Sequence, residues 1–478
     1  MNKQVRNLTI LFWLINLSRV ISMVFLPLAD TTEARYANTA MIMAKIGDWI
    51  TPYYDYGVPF WGKPPLAFWA QALSYKFLGV HDYVPRLPSL LITLCTAWLI
   101  YKLVKTFHNK VSALLAITIY SSMLLVFALS GAVTTDPYLT FSTTLSLVAF
   151  LMVINGRERF WNYLFFIGVG LGILTKGPLA GVVVGGVIAL WVLFSYKKRI
   201  SLLAKFPWKS GILLMILIFL PWYIVAEIKT PGFLKYFILG ENLGRFLDTG
   251  WHGDKYGYVH KTPHGIIWFY LFLGSLPWSL YAVYSWGKNL FSKSGLKGMI
   301  AKMRDDLASF YLSWTLFIIL FFTFASNVLW YYVLPSLPAF AILIALYFNR
   351  AEGQFLEKEH KMFCISSIFV PIVSLIALVF ILLFPSTIKT EKFLIAKYKA
   401  VKKPGEAIYF LDKKSFSSTY YMGKKLDLTT VQDFDNMEQN LTKKYFIVVH
   451  KDDVSKIKNI QNFDKIFVSK KYRLFEHK

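Results

Sequence analysis

Long apolar runs dominate this sequence and limit what the chain can fold into. An α-helix needs about 20 apolar residues to cross the hydrocarbon core of a bilayer. Hydrophobic residues make up 56% of the 478 residues and charged residues only 17%, too few to solvate a soluble protein of this size. The sequence therefore predicts an α-helical, multi-span membrane protein with about eleven or more transmembrane helices, near 7–29, 86–104, 111–130, 137–154, 160–175, 178–196, 210–228, 264–285, 307–325, 329–348 and 362–385.

Lysine and arginine are concentrated in every second interval between these runs. With the N-terminus in the cytoplasm, the basic clusters at 102–110, 197–209 and 288–304 all fall in inner loops, as the positive-inside rule predicts. The net charge of +25 is then explained by topology and by affinity for anionic lipid. No nucleic-acid-binding motif accompanies the charge, so nucleic acid is not expected as a partner.

This orientation divides the chain into functional parts. Residues 1–385 form the transmembrane domain, with a first outer loop at 30–85 and a second large outer loop at 229–263. The tail, 386–478, is rich in lysine and alternates strand-like stretches with turn-forming ones. We expect it to be a small α/β domain outside the membrane, with strands at Ala407–Leu411, Tyr445–Val449 and Lys465–Val468.

The first outer loop is predicted to contain two amphipathic helices. Glu33–Ile46 has an apolar stripe and stops at Gly47, and Pro65–Leu78 begins with a proline in its first turn and ends at Gly79. Short amphipathic helices beside a span are typical of the membrane interface. We expect the pair to form a shelf over the helical bundle.

Four charged residues of this loop are candidate site residues. Asp30 and Glu33 are candidate catalytic carboxylates, but Asp30-Thr31-Thr32-Glu33 also has the spacing of a helix-capping box, with Asp30 at the cap. Arg35 and Lys63 supply fixed positive charge that suits the phosphate oxygens of a substrate. Contact with solvent or lipid headgroups is the alternative for these two cations.

Further candidates lie at or within the spans. Asp136 is at the outer end of a span, where an ionisable group is costly unless it is paired or functional; capping the next helix is the alternative. Lys176 is in an outer turn and could be a simple interface anchor. Arg19 falls inside the first span and is expected to have a carboxylate or carbonyl partner in the bundle.

The second outer loop contains His252, His260 and His264. Imidazoles together with carboxylates bind divalent metals, but the spacing here matches no metal motif. A divalent metal is therefore left open, and no other cofactor is predicted. The chain has no nucleotide-binding loop, so a soluble nucleotide sugar is not expected as substrate.

Nine short motifs follow one another along residues 10–350. They are Asp30-x-Thr32-Glu33-Ala34-Arg35-Tyr36-Ala37, Gly47-Asp48-Trp49-Ile50, Lys63-Pro64-Pro65-Leu66, Thr135-Asp136, Leu174-Thr175-Lys176-Gly177-Pro178, Arg245-Phe246, His260-Lys261-x-Pro263, Pro277-Trp278-Ser279 and Tyr332-x-Leu334-Pro335. In order and spacing they resemble the bacterial lipid A aminoarabinose transferases and their relatives in the protein O-mannosyltransferase superfamily.

The resemblance implies a membrane glycosyltransferase of the GT-C fold in the bacterial inner membrane. It also implies a sugar donor on undecaprenyl phosphate, used on the periplasmic face, with a lipid A phosphate as acceptor. By the same likeness, the acidic residues of the first loop and Asp136 match catalytic positions, and Arg35 and Lys63 match phosphate-binding positions. Lys176, Arg245 and Tyr332 lie in matched motifs and are expected to bind the donor as well.

The chain differs from the aminoarabinose enzymes at two motif positions. Thr32 stands before Glu33 where those enzymes have an aspartate, and Gly62 stands before Lys63 where they have a glutamate. A metal site to which that glutamate contributed would be altered here. Both differences point towards another sugar or acceptor, such as a hexosamine.

We expect an inverting transfer in which Arg35 and Lys63 stabilise the departing prenyl phosphate and Asp30 or Glu33 orients or deprotonates the acceptor. One alternative is a protein O-glycosyltransferase of the same superfamily. Another is a flippase for lipid-linked sugars, which would carry charged residues deep in several spans and repeat-like halves. The clustering of charged candidates on one face favours an enzyme.

Overall fold

The computed structural model describes residues 3–193, 199–247, 253, 255–257, 261–290, 305–325, 327–349, 357–426, 428–438 and 444–478. Helices dominate these ranges. In chain order the α-helices are α1 (Lys3–Phe25), α2 (Thr32–Ile46), α3 (Leu66–Leu78), α4 (Leu87–Phe107), α5 (Lys110–Ser122), α6 (Leu124–Ser130), α7 (Asp136–Ile154), α8 (Trp161–Lys176), α9 (Leu179–Leu193), α10 (Trp208–Lys229), α11 (Arg245–Leu247), α12 (Ile266–Gly274), α13 (Trp278–Leu290), α14 (Asp306–Thr323), α15 (Leu337–Phe348), α16 (Glu357–Leu383), α17 (Lys392–Val401), α18 (Phe416–Met422) and α19 (Val431–Glu438).

The predicted multi-span helical architecture is confirmed. Within the described ranges, seven helical stretches are long and apolar enough to cross a membrane, and two bent pairs raise the number to nine. The bent pairs are α5 with α6, at 72°, and α12 with the start of α13, at 114°. The other two predicted spans correspond to α8 and α9, which are shorter, at 16 and 15 residues.

Helix α7 lies at the centre of the bundle, where it packs against α4, α8 and α9. It is buried along nearly its whole length, although it contains several hydroxyl side chains. Thr140, Ser142 and Thr143 donate these hydroxyls to backbone carbonyls of the same helix, which satisfies polar groups that burial would otherwise leave unpaired. The first residue of this central helix is Asp136.

The two loop helices are confirmed as α2 and α3. They end where predicted, because Gly47 and Gly79 adopt left-handed backbone conformations, at φ 74° and 75°. A two-stranded hairpin, β1 (Tyr53–Asp55) and β2 (Val58–Pro59), connects them. The predicted capping box is wrong: Thr31 caps α2 without a side-chain hydrogen bond, and Asp30 is bonded elsewhere.

A five-stranded mixed sheet forms in the C-terminal part of the chain. Its strands are β3 (Ala407–Leu411), β4 (Leu428–Thr429), β5 (Tyr445–His450), β6 (Phe463–Val468) and β7 (Tyr472–His477), in the order β4-β3-β5-β7-β6. Strand β3 pairs in parallel with β4 and β5, whereas β7 is antiparallel to both its neighbours. Helix α17 packs on one face of the sheet and α19 on the other. The three predicted strands are all present.

The C-terminal part docks on the first loop through α18, which packs on α2. The Tyr75 hydroxyl donates to that of Tyr420, at 3.2 Å between the oxygens. Lys392 Nζ lies 2.7 Å from Asp82 Oδ2, which adds an ion pair across the same contact. The first loop is therefore held between the helical bundle and the C-terminal sheet.

Candidate active site

A cavity of about 470 Å³ lies next to the loop ends of α8 and α14. Four of the predicted phosphate- or donor-binding residues line it: Lys63, Lys176, Arg245 and Tyr332. Most of the remaining wall is apolar, from Pro178, Leu179, Val182, Phe237, Ile238, Leu243, Phe246, Phe321 and Phe322. Cationic side chains in an apolar enclosure are suited to a ligand that carries both a phosphate and a hydrocarbon chain.

Glu241 holds two of these cations in place. Lys63 Nζ lies 2.9 Å from Glu241 Oε1, and Arg245 Nη1 lies 3.1 Å from each carboxylate oxygen. Burial would lower the pKa of Lys63, but the Glu241 carboxylate raises it above its ordinary value. Burial likewise would raise the pKa of Glu241, yet Lys63 and Arg245 hold it below its usual value. All three groups are therefore charged at neutral pH.

The segment that carries Glu241 is a π-helix, Lys235–Gly244, which continues directly into α11. π-Helical turns are rare and occur often at functional sites. This segment approaches the end of α8 at Gly177, whose backbone has φ +70° and where a Cβ would lie only 2.7 Å from Phe237 Cε1. A glycine at 177 thus permits the close approach that brings Lys176 beside the π-helix.

Lys176, which lines the cavity, forms a buried ion pair with Asp136, which lines only a small adjoining pocket. Lys176 Nζ lies 2.5 Å from Asp136 Oδ1, and both residues are under 10% exposed. The ammonium also lies 5.7 Å and 5.3 Å from the ring centroids of Tyr331 and Tyr332, at cation–π distance. Lys176 is therefore buried among cavity residues, and the simple interface anchor is wrong.

Glu33 lies outside this cavity and is paired with Arg86. The guanidinium donates from Nε and Nη2 to the two carboxylate oxygens, each at 2.8 Å. Arg86 also donates to the carbonyls of Met23, Leu26 and Pro27, so it fixes the exit of the chain from α1. Burial would raise the pKa of Glu33, but the charge of Arg86 holds it below the usual value.

Asp30 is bonded to the C-terminal part of the chain. Its carboxylate accepts hydrogen bonds from the backbone N–H of Ser417, at 3.1 Å, and from the Ser417 hydroxyl. Burial raises its pKa, although the hydrogen bonds from Ser417 oppose that effect. Asp30 is not among the residues lining the cavity.

Arg35 is also outside the cavity lining. Its Nη1 donates to the backbone carbonyl of Tyr256 at 2.6 Å, and its guanidinium lies 5.2 Å from the Tyr36 ring centroid and 5.8 Å from that of Phe60. The Tyr256 hydroxyl in turn donates to the Pro59 carbonyl, at 2.8 Å. Arg35 therefore joins the second loop to the chain that leads to Lys63, and its predicted contact with phosphate stays a prediction.

The described residues contain no group of three His, Cys, Asp or Glu side chains placed to hold a metal. His264 is exposed, and His252 and His260 lie outside the described residues. At Gly62 a Cβ would lie 2.9 Å from Phe60 Cζ, so this backbone is packed too closely for a glutamate without movement of that ring.

Three polar lining residues were missing from the predicted site: Glu241, Asn242 and Asn327. Glu241 lies four residues before Arg245, a spacing that could have indicated the pair. Asn327 is 7% exposed, and neither its amide nitrogen nor its amide oxygen has a hydrogen-bond partner among the described residues. Nothing in the local sequence distinguishes Asn327 from an ordinary loop residue.

A pH dependence follows from a second buried carboxyl beside Asp30. Glu391 is almost fully buried, and burial, reinforced by the charge of Asp30, raises its pKa to about 8. A carboxyl whose pKa is raised on folding stabilises the fold below its unfolded pKa, and this stabilisation is lost as pH rises through the folded value. Between about pH 5 and 8 we expect docking of residues 386–478 to weaken by up to about 1.4 kcal/mol per pH unit.

Hydrogen exchange of residues 386–478, measured across this pH range, checks that expectation. The Glu391→Gln variant should flatten the dependence, because an amide cannot ionise. Glu406→Gln, at a carboxylate in the same part of the chain that accepts from the Lys403 backbone N–H, is the control and should keep the slope. Protection that does not change with pH in the unmodified chain would contradict the assignment.

Comparisons with known proteins agree with this architecture. The profile of the family "Dolichyl-phosphate-mannose-protein mannosyltransferase" matches residues 5–237. The structure superposes on ArnT from Cupriavidus metallidurans bound to undecaprenyl phosphate with a TM-score of 0.77 at 15% identity, covering 98% of this chain and 97% of that one. The oligosaccharyltransferase of Archaeoglobus fulgidus matches with a TM-score of 0.57 at 9% identity, over 94% of this chain and 70% of that one. At such identities the likeness shows the fold alone.

Comparison of sequences finds similar enzymes of known name. The undecaprenyl phosphate-alpha-4-amino-4-deoxy-L-arabinose arabinosyl transferase of Yersinia pestis (strain Pestoides F) is 30% identical over 323 residues. The chain therefore shares the fold of ArnT and is similar in sequence to the aminoarabinose transferases. The match covers 66% of this chain and 54% of the Yersinia protein, and the Yersinia enterocolitica enzyme of the same name matches to the same extent. The chain thus spans about half the length of the curated relatives it matches.

Proposed function

We propose that the chain is an inner-membrane glycosyltransferase that moves a sugar from undecaprenyl phosphate to a phosphate group of lipid A on the periplasmic face. The observation that carries this proposal is the convergence of Lys63, Lys176, Arg245 and Tyr332 on one cavity with apolar walls. The Yersinia relatives are named for a donor on undecaprenyl phosphate. The basic inner loops predicted by the sequence support a cavity that opens on the periplasmic side.

The charges around the cavity suit a phosphate that gains negative charge during the reaction. Lys63, Lys176 and Arg245 oppose the two carboxylates of Glu241 and Asp136, which leaves a net charge of +1. A sugar phosphodiester carries one negative charge, whereas the departing polyprenyl phosphate approaches two. Fixed cations stabilise the departing phosphate more than they stabilise the phosphodiester, because the departing phosphate carries more negative charge. This difference lowers the barrier to transfer.

Each step of the transfer can be assigned to groups of this chain. An acceptor oxygen forms a bond to the anomeric carbon of the sugar while the bond from that carbon to the prenyl phosphate oxygen breaks. The electron pair of the broken bond goes to the phosphate, which Lys63 and Arg245 hold. A phosphate acceptor is already ionised and needs no base, whereas a hydroxyl acceptor would give its proton to Asp136. The free amide of Asn327 is placed to bind a sugar hydroxyl.

Glu33, Asp30 and Arg35 act in this proposal as positioning residues. Glu33 joins the start of the first loop to its end through Arg86, and Asp30 joins the start to Ser417 of the C-terminal part. Arg35 bonds the second loop to the first. These bonds hold the first and second loops together near Lys63 and Glu241. The sugar itself is left open between aminoarabinose and another sugar such as a hexosamine, since Thr32 and Gly62 differ from the aminoarabinose motif.

Protein O-glycosylation is a second candidate, favoured by one observation. The matching family profile is named for transfer to protein. The same cavity would hold a polyprenyl donor in either case, so the two functions differ in the acceptor alone. A hydroxyl acceptor would make Asp136 necessary as a base, whereas a phosphate acceptor would not.

Mass spectrometry of lipid A from a deletion strain tests the proposal. Complementation with the unmodified gene should restore one sugar-sized mass increment on lipid A, and complementation with Lys176→Ala should not. Arg199→Lys, which keeps a cation beside Asp306 at a position that does not line the cavity, is a control that should restore the increment. Unchanged lipid A together with altered glycoproteins would move the function to protein glycosylation.

A further inference from the structure

A second cavity, of about 460 Å³, lies between the end of α1, α6 and α16. It shares no lining residue with the first cavity. Three charged side chains line it, Arg19, Glu33 and Arg86, and nearly all the other lining residues are apolar. The donor and acceptor chemistry proposed above makes no use of it.

The charges of this cavity do not cancel. Both oxygens of Glu33 are bonded to Arg86, so this pair is neutral. Arg19 is 7% exposed, and its Nη2 donates to the Ala128 carbonyl at 2.7 Å while Nη1 donates to Ser22 Oγ at 3.1 Å. In the described part of the chain no carboxylate pairs with Arg19, and its Nε has no hydrogen-bond partner. The cavity therefore carries one uncompensated positive charge.

This arrangement is built into the backbone around Arg19. The guanidinium lies directly against Gly131, where a Cβ would be 2.5 Å from Arg19 Nε. A side chain at 131 would displace the guanidinium from the cavity wall. The sequence predicts a carboxylate or carbonyl partner for Arg19. The carbonyl of Ala128 is that partner; it accepts a hydrogen bond from Nη2 but leaves the charge unneutralised.

The apolar side of the cavity opens towards lipid. It is formed by α16, the span with the highest hydropathy, of which only 28% is buried. Phe369 and Val373 line the cavity and are 54% and 47% exposed. A hydrocarbon chain in the bilayer can therefore enter sideways along α16 and reach Arg19 without crossing the bundle.

We propose that this cavity binds one anionic membrane lipid through its phosphodiester, with phosphatidylglycerol as the occupant. A buried guanidinium without a counter-charge is costly in a membrane, and a phosphodiester supplies one negative charge together with acceptors for its N–H groups. Glu33 on the same wall disfavours a headgroup with two negative charges, such as a phosphomonoester. The acyl chains lie against Phe369, Val373 and Ala377. This inference does not depend on the proposed function.

Native mass spectrometry of the delipidated full chain tests it, with phosphatidylglycerol and phosphatidylcholine of identical acyl chains as probes. We expect one phosphatidylglycerol to be retained at a concentration where phosphatidylcholine is not. Arg19→Gln should reduce that occupancy at least tenfold by removing the charge. Val373→Trp should do the same by filling the acyl slot, and since Val373 is half exposed this variant tests the site even where Arg19→Gln fails to fold.

Two matched variants make the outcome specific to this cavity. Ile372→Trp adds the same side chain one position earlier on α16, at an exposed residue that does not line the cavity, and should leave occupancy unchanged. Lys63→Met removes a cation from the first cavity and should also leave it unchanged. Equal retention of both lipids, or full retention by Arg19→Gln and Val373→Trp, would overturn the proposal. Tighter retention of lipid A than of phosphatidylglycerol, lost in Arg19→Gln, would overturn it in favour of an acceptor site.

Discussion

Replacing Lys63 with methionine should lower kcat/KM for sugar transfer by about 10² to 10³-fold, the usual cost of losing one preorganised group that stabilises developing negative charge. Methionine keeps the length and apolar character of the lysine side chain, so the packing of the loop is retained. The loss should fall mainly on kcat, because the phosphate gains its extra charge only as the sugar departs. Transfer from a purified polyprenyl-phosphate sugar to lipid A measures both constants.

Lys229→Met is the matched control for that variant. Lys229 also carries an ion pair at the same side of the bundle, with its Nζ 2.7 Å from Asp48 Oδ2, but its side chain is 45% exposed and does not line the cavity. Its replacement should change kcat/KM by less than threefold, in keeping with the small energies of exposed pairs, about 0 to 1 kcal/mol. An equal loss in the two variants would contradict the role of Lys63, because it would point to a general effect of net charge.

The fold follows from local patterns that a reader of the sequence can see. Apolar runs predict the spans, and the glycines at 47 and 79 predict where the loop helices end, because each signal acts within a few residues. The bends between α5 and α6 and between α12 and α13 were not predicted. The strands β4 and β7 were missed as well, since each is recognisable only from its partner in the sheet.

The candidate site was predicted only in part, because only some of its residues lie in recognisable local motifs. Lys63, Lys176, Arg245 and Tyr332 come together in one cavity although they are spread over some 270 residues, and their motifs carried that information. The partners of the first-loop carboxylates could not be read from local spacing. Glu33 is bonded to a residue 53 positions away and Asp30 to one 387 positions away. The spacing of the two carboxylates fits a helix-capping box, but in the structure both side chains bond to these distant residues instead.

The Glu33→Gln variant tests whether the bond between Glu33 and Arg86 stabilises the fold. Glu33→Gln keeps the size of the side chain but leaves Arg86 buried beside a neutral amide, and breaking a buried ion pair in this way costs about 3–5 kcal/mol. Since Arg86 holds the pKa of Glu33 below its usual value, the pair stabilises the fold above the unfolded pKa of the carboxyl, and this contribution is lost as pH falls through the folded value. The variant should therefore show a lower Tm at neutral pH and a weaker loss of Tm on acidification.

Asp82→Asn is the control. Asp82 lies in the same loop as Glu33, but its partner, Lys392 of α17, is 39% exposed. We expect this substitution to cost about 1 kcal/mol or less. If Glu33 positions the loop without touching substrate, the folded fraction of Glu33→Gln should transfer sugar within tenfold of the unmodified rate. An unchanged Tm combined with complete loss of transfer would instead place Glu33 at the reacting atoms, as its match to the acidic family motif suggests. The two readouts separate these roles because a bond to Arg86 contributes to folding, whereas a bond to substrate contributes only when substrate is present.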